Sequence, residues 1–283
     1  MFFRSVSGLA LFVASSATIV TFPLQAQPAV EIPVAATADL AELTLAAATI
    51  VRARIADTDE VRAERAPGLA PGFRRLLVEA EVVAVLAAPG AVPGDIRYLV
   101  DVPETRRGRA PRLEGEEVML FLGPEHRPGE FALAHKYGQQ SWSGGTDEAV
   151  RKLLNNRAQM RGLTLGDAAV TSAFHVPGTI AGESESQIFV RTGEGRPLSL
   201  VVLRRPGQAP RVSVATGDII DPNAPPPERG SLPALVLACS LPESLPGEVL
   251  EGSRDADALR ADYQAAREAL GGCERNFEQA ALR

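Results

Sequence analysis

The chain has 283 residues, a formal net charge of −6 and 45% hydrophobic residues. That suffices for a real core, and the acidic balance excludes a polyphosphate partner held by net field alone. Nearly all the positive charge is arginine; lysine occurs only at Lys136 and Lys152.

In chain order, Met1 to Ala26 reads as a secretory signal peptide: Arg4, then an uncharged apolar run from Gly8 to Phe22, then Pro23-Leu24-Gln25-Ala26 with its small residue at the cut. The run is too short and too rich in Ser and Thr for a membrane span, and no later stretch is long enough, so no transmembrane segment is expected in the mature chain. The expected location is periplasmic or secreted.

The fold class expected is mainly β (α+β). It has four parts after or including the leader: 1–26 signal peptide, 27–141 a small OB-like β-barrel, 142–168 a connector helix, and 169–283 a β-rich domain with a C-terminal helix. A short helix over Thr37–Ala48 leads into strands at Thr49–Ala56, Arg74–Leu86, Asp95–Val102, Glu117–Leu122 and Phe131–Ala134, enriched in apolar and β-branched residues. Pro89-Gly90, Pro93-Gly94, Gly123-Pro124 and Pro128-Gly129 punctuate them. Strands this close, joined by such turns, predict a small barrel, not a parallel sheet.

A helix is expected from Thr146 to about Arg161, capped by Thr146 or Gly145, with acidic residues in its first turn. Strands are predicted at Gln187–Thr192, Leu198–Arg204, Arg211–Ala215 and Leu235–Cys239. Asp221 to Pro227 reads as an extended surface loop, and Asp255 to Leu270 as a last helix ending at Gly271-Gly272. Cys239 and Cys273 are the only cysteines. An isolated pair in an exported chain most simply forms one disulfide, and no Cys-x-x-Cys suggests a redox pair.

The stretches 48–55, 77–86 and 113–122 carry a resemblance. Ala48-Thr49-Ile50-Val51-Arg52-Ala53-Arg54-Ile55 looks like an opening strand, and Leu77 to Leu86 like a long second strand. Leu113 to Leu122 looks like a Gly-Glu turn with the apolar strand that follows it. Together they resemble the exported OB-like barrels of the netrin-like domains. The resemblance implies a barrel fold and, in some members, inhibition of metalloproteases. This chain lacks the family's disulfides and the amino-terminal Cys that reaches zinc, which removes the basis for carrying inhibition over.

Arg106, Arg107, Arg109 and Arg112 crowd one loop ahead of Glu114, Glu116 and Glu117. They are either an anion-binding loop or a solvated hairpin whose charges neutralise one another. Trp142, the only Trp, sits in a Gly/Ser-rich loop and reads as a plug between barrel and helix. Ser141 with His135 and Asp147 is a weak catalytic constellation, since no Gly-x-Ser-x-Gly elbow surrounds the serine. His126, His135 and His175 have no partner at ligand spacing, and Glu183 and Glu185 are too few for a calcium loop, so no metal or cofactor is expected. Trp142, Tyr98 and Tyr137 make no stacking platform in sequence, and nucleic acid is not an expected partner.

These features point to an exported binding or structural protein whose partner is an envelope protein or a polysaccharide. The alternatives are a hydrolase built around Ser141 and an inhibitor of periplasmic proteases.

Overall fold

The computed structural model describes residues 33–277 apart from 159, 161, 167, 194, 196, 217–226 and 252. The readings of 1–26 as a signal peptide and of 221–226 as an extended loop lie outside the described residues.

Helix α1 (Thr37–Ala46) precedes strands β1 (Thr49–Glu60), β2 (Phe73–Ala87), β3 (Asp95–Pro103), β4 (Glu117–Arg127), β5 (Glu130–Leu133) and β6 (Gln139–Ser141). They pair in the order β1-β2-β3-β5-β4-β6, and β1 also pairs with β4. The first five strands therefore close into an OB-like barrel, with β6 added outside the ring. Alternation explains the closure. In β3, Ile96, Tyr98, Val100 and Val102 are buried while Arg97 and Leu99 face out. Val51, Ala53 and Ile55 of β1, with Leu76, Val78 and Ala80 of β2, fill the same interior. Each large aliphatic side chain buried this way contributes about 1.5–3 kcal/mol. Register shifts in the β1–β2 ladder mark bulges that let the long strands curl. The ring is closed between β3 and β5 by a parallel pairing that amounts to the Arg97–Glu130 bridge. The Arg97 amide donates to the Gly129 carbonyl beside it, at 2.7 Å.

Strand β4 is apolar on both faces because it is buried on both. Val118, Leu120 and Leu122 point into the barrel, whereas Met119 and Phe121 pack outward beneath the helices. Helix α2 (Gly144–Leu154) buries Val150 and Leu153 in that outer core. Its cap is Ser143, not the expected Thr146 or Gly145: the Ser143 hydroxyl accepts the Thr146 amide at 3.0 Å. It also stops earlier than Arg161, at Asn155-Asn156, two poor helix formers.

The second sheet is antiparallel, in the order β10-β9-β8-β7, from β7 (Ala168–Pro177), β8 (Ser184–Thr192), β9 (Pro197–Arg204) and β10 (Arg211–Thr216). One expected strand is corrected. Leu235–Cys239 lies inside helix α3 (Leu232–Ser240), entered through Ser231 with Pro233 in the first turn. The helix is buried nearly all round, so its apolar run shows neither helical nor strand periodicity. Helix α4 (Gly247–Leu250) is a single turn, and α5 (Ala256–Leu270) packs Leu259, Tyr263, Ala266 and Leu270 against the sheet and α3. Cys239 of α3 and Cys273 after α5 are joined by a disulfide. Among the described residues no helix is long and apolar enough to cross a membrane.

Candidate functional site: a groove across the barrel

An open groove of about 700 Å³ crosses the outer face of β2, β3 and β5. The β1–β2 loop bounds one end with Val61 and Arg65; His126 of β4, just before the β4–β5 turn, bounds the other. Its floor follows from the alternation that built the barrel. Every second residue of β2 and β3 must face out, and these are Arg75, Leu77, Arg97, Leu99 and Asp101. In OB folds the face of strands 2 and 3, flanked by the β1–β2 and β4–β5 loops, is where oligonucleotides and oligosaccharides bind.

The floor is polar at its sides and apolar along its middle. Arg75 grips Asp101 in a two-pronged pair, Nε to Oδ1 at 2.6 Å and Nη2 to Oδ2 at 2.8 Å. That carboxylate holds the Arg75 guanidinium above its usual pKa range. Arg97 lies 2.9 Å from Glu79. Between them Leu99 remains 48% exposed, too much for a core residue and suited to covering by a ligand. Arg65 has no ion pair among the described residues, and Lys136 sits over the Tyr137 ring at 4.7 Å. These two cations are uncompensated, so the groove is positive in an otherwise acidic chain.

The residues expected to carry chemistry are spread apart. His135 lines this groove, with its ring against Tyr137 and Phe277 and its Nδ1 accepting the Tyr137 amide at 3.2 Å. Burial lowers its pKa, against the opposing pull of Glu42. Ser141 ends β6 and lines a different cavity, and Asp147 is taken up by Arg151 at 2.6 Å on the same helix. The three are not brought together. Arg106, Arg107, Arg109 and Arg112 are all exposed on the β3–β4 loop and none is ion-paired among the described residues. The glutamates expected to neutralise them are mostly engaged elsewhere. Glu117 receives Arg54 and Arg52, which lower its pKa, and Glu114 receives the Thr58 hydroxyl at 2.5 Å, which lowers its own with a smaller pull from Arg112. Trp142 is half-buried against the helical core, with the Arg52 guanidinium 3.6 Å from its ring centroid.

Two arrangements were not foreseen. Arg65, Arg75, Arg97 and Lys136 meet only because the barrel curls β2 and β3 toward the segment after β5. On the other sheet, His175, Ser186 and Arg204 converge on Asp262 of α5. The outward alternation of β2 was legible, but its neighbours across the ladder were not.

Comparison with protein-family models and with curated proteins finds no match.

Proposed function

We propose that this chain is an exported binding protein of the cell envelope, periplasmic or secreted, whose barrel groove takes an extended acidic polysaccharide. The observation that carries this reading is the groove itself. It is open to solvent along the barrel face, positive at Arg65 and Lys136, and apolar along Leu77 and Leu99. Uronate-bearing chains combine carboxylates with apolar pyranose faces, which is the same pairing in complement. Arginine forks that donate to carboxylates in bidentate fashion suit such a ligand. The lining residues Tyr98 and Phe131 are buried and no exposed Phe, Tyr or Trp is among the rest, so base stacking has no platform of these rings, and this favours a sugar over a single-stranded nucleic acid. The leader-like pattern of Met1–Ala26 and a disulfide, which persists in oxidising compartments, support export.

The test is calorimetric titration with oligogalacturonate and with a neutral malto-oligosaccharide of equal length. The expected result is binding of the acidic oligomer that weakens with added salt, since exposed charges carry part of it. Arg65→Glu combined with Lys136→Glu should weaken it at least tenfold. Equal affinity for the two oligomers, or indifference to the double variant, would overturn the reading.

A further inference from the structure

A second cavity, of about 480 Å³, opens at the end of the barrel between the β3–β4 loop, β6 and the segment before α1. It shares no lining residue with the groove. Its size is that of a site for a small ligand.

Its walls are of two kinds. Leu40, Val102, Leu113 and Val118 are each buried and supply an apolar floor. Facing them are Gln139, Ser141 and the carboxylates of Glu104 and Glu116. Gln139 is the decisive group. It is only 8% exposed, and its Oε1 accepts the Tyr98 hydroxyl at 2.8 Å inside the barrel. Burial drives the Tyr98 pKa up, so that phenol keeps its proton, and it has no other acceptor among the described residues. The amide oxygen is thereby fixed toward Tyr98, and Nε2 is turned the other way. That nitrogen has no partner among the described residues, yet it is not among the atoms sealed from solvent without one. The cavity that Gln139 lines is where Nε2 is open. Gly138 makes the placement exact: a Cβ there would lie 2.9 Å from the Phe121 carbonyl oxygen, and only glycine lets β6 come this close to β4.

The carboxylates differ in what they offer. Glu104 lies 2.9 Å from Arg74 Nε, an ion pair whose angle falls short of a hydrogen bond. Glu116 has no ion pair among the described residues and is free to accept. The Ser141 hydroxyl is likewise exposed and unpartnered.

We infer that this cavity is a binding site for an N-acetylated sugar residue. The acetamido carbonyl accepts from Gln139 Nε2, its methyl lies on the Val102–Leu113–Val118 floor, and the ring hydroxyls reach Glu116 and Ser141. A lone buried amide donor beside an apolar floor fits an acetamido group better than a bare hydroxyl, which would leave the floor uncovered. A site that hydrogen-bonds a specific group discriminates strongly against an analogue lacking it.

The experiment is titration of the full chain with three β1,4-linked disaccharides, diacetylchitobiose, chitobiose and cellobiose. Diacetylchitobiose should bind at least tenfold more tightly than the other two. Gln139→Glu keeps an acceptor for Tyr98 and removes the donor, and should abolish that preference. Should this variant fold poorly, Ser141→Trp, at an exposed position on the cavity wall, should block binding instead. Equal binding of the three disaccharides, no binding of any, or binding retained in both variants would overturn the inference. The Arg65→Glu/Lys136→Glu variant should bind diacetylchitobiose unchanged, which separates this site from the groove; a matching loss there would overturn it.

Discussion

Asp262 is fully buried, and its carboxylate holds three side chains from the facing sheet. The Ser186 hydroxyl donates to one oxygen and the Arg204 guanidinium to the other. With the serine proton committed, His175 Nδ1 is the donor, 2.9 Å from Ser186 Oγ and 3.3 Å from Asp262 Oδ2. The set contains Ser, His and Asp, but Ser186 is fully buried and its proton points at the acid, so it docks α5 instead of attacking a substrate. Arg204 keeps 37% of its side chain exposed and can turn to water when its partner is removed, whereas the buried Ser186 hydroxyl is left without its acceptor. Asp262→Ala is therefore expected to cost about 1–3 kcal/mol, read as a lower midpoint in urea denaturation. A loss under 1 kcal/mol would mean that the network is incidental. Sequence alone shows His175 as a lone histidine and sets Ser186 beside Glu185, one of two glutamates too few for a calcium loop. Nothing near either residue announces Asp262, because it lies 76 residues after Ser186.

At the scale of elements, the disulfide is the clearest device. It ties the end of α3 to the residue just beyond α5, closing a sequence separation of 34. In the chain-entropy model such a loop is worth about 4 kcal/mol. Cys239→Ser with Cys273→Ser should lose that order of stability in urea, with the far-ultraviolet spectrum unchanged at low denaturant. No change in midpoint would show that α5 is held by Asp262 and its apolar face alone. The pairing was readable because only two cysteines exist. Strands β2 and β3 were readable for another reason: each buries one face and shows it as alternation, while β4, buried on both faces, showed only as a short apolar run between turn signals. An apolar run buried all round has no such alternation and fits a strand or a helix equally, which is why Leu235–Cys239 of α3 reads as a strand in sequence. Ser231 followed by Pro233 was the available hint of a helix start. Strand β7 and the short β6 were not singled out either. Much of β7 is exposed and β6 spans three residues, so neither imprints a pattern. The cavity built around Gln139 was illegible for the same reason, since a glutamine inside a polar loop looks solvated until β4 is laid beside it.

At the scale of the whole molecule, the helices do not hang from the barrel. Ile50, Met119 and Phe121 on the barrel's outer face share one apolar core with α1, α2, α3, α5 and the inner face of the second sheet. Arg157 reinforces it by donating to the Ala47 carbonyl at the end of α1. Cooperative units follow continuous cores, so differential scanning calorimetry is expected to record a single transition with equal calorimetric and van't Hoff enthalpies. Two separated peaks would show that the shared core is too weak to couple the sheets. The barrel itself has one thin join, where β3 meets β5 through Arg97 and Glu130 while every other neighbour runs a longer ladder. The groove lies over that join, with Arg97 and Leu99 on one bank and Glu130 and Ala132 on the other. Anything long enough to span both banks acts as a clasp, so an occupied groove should leave the ring harder to spring open than an empty one.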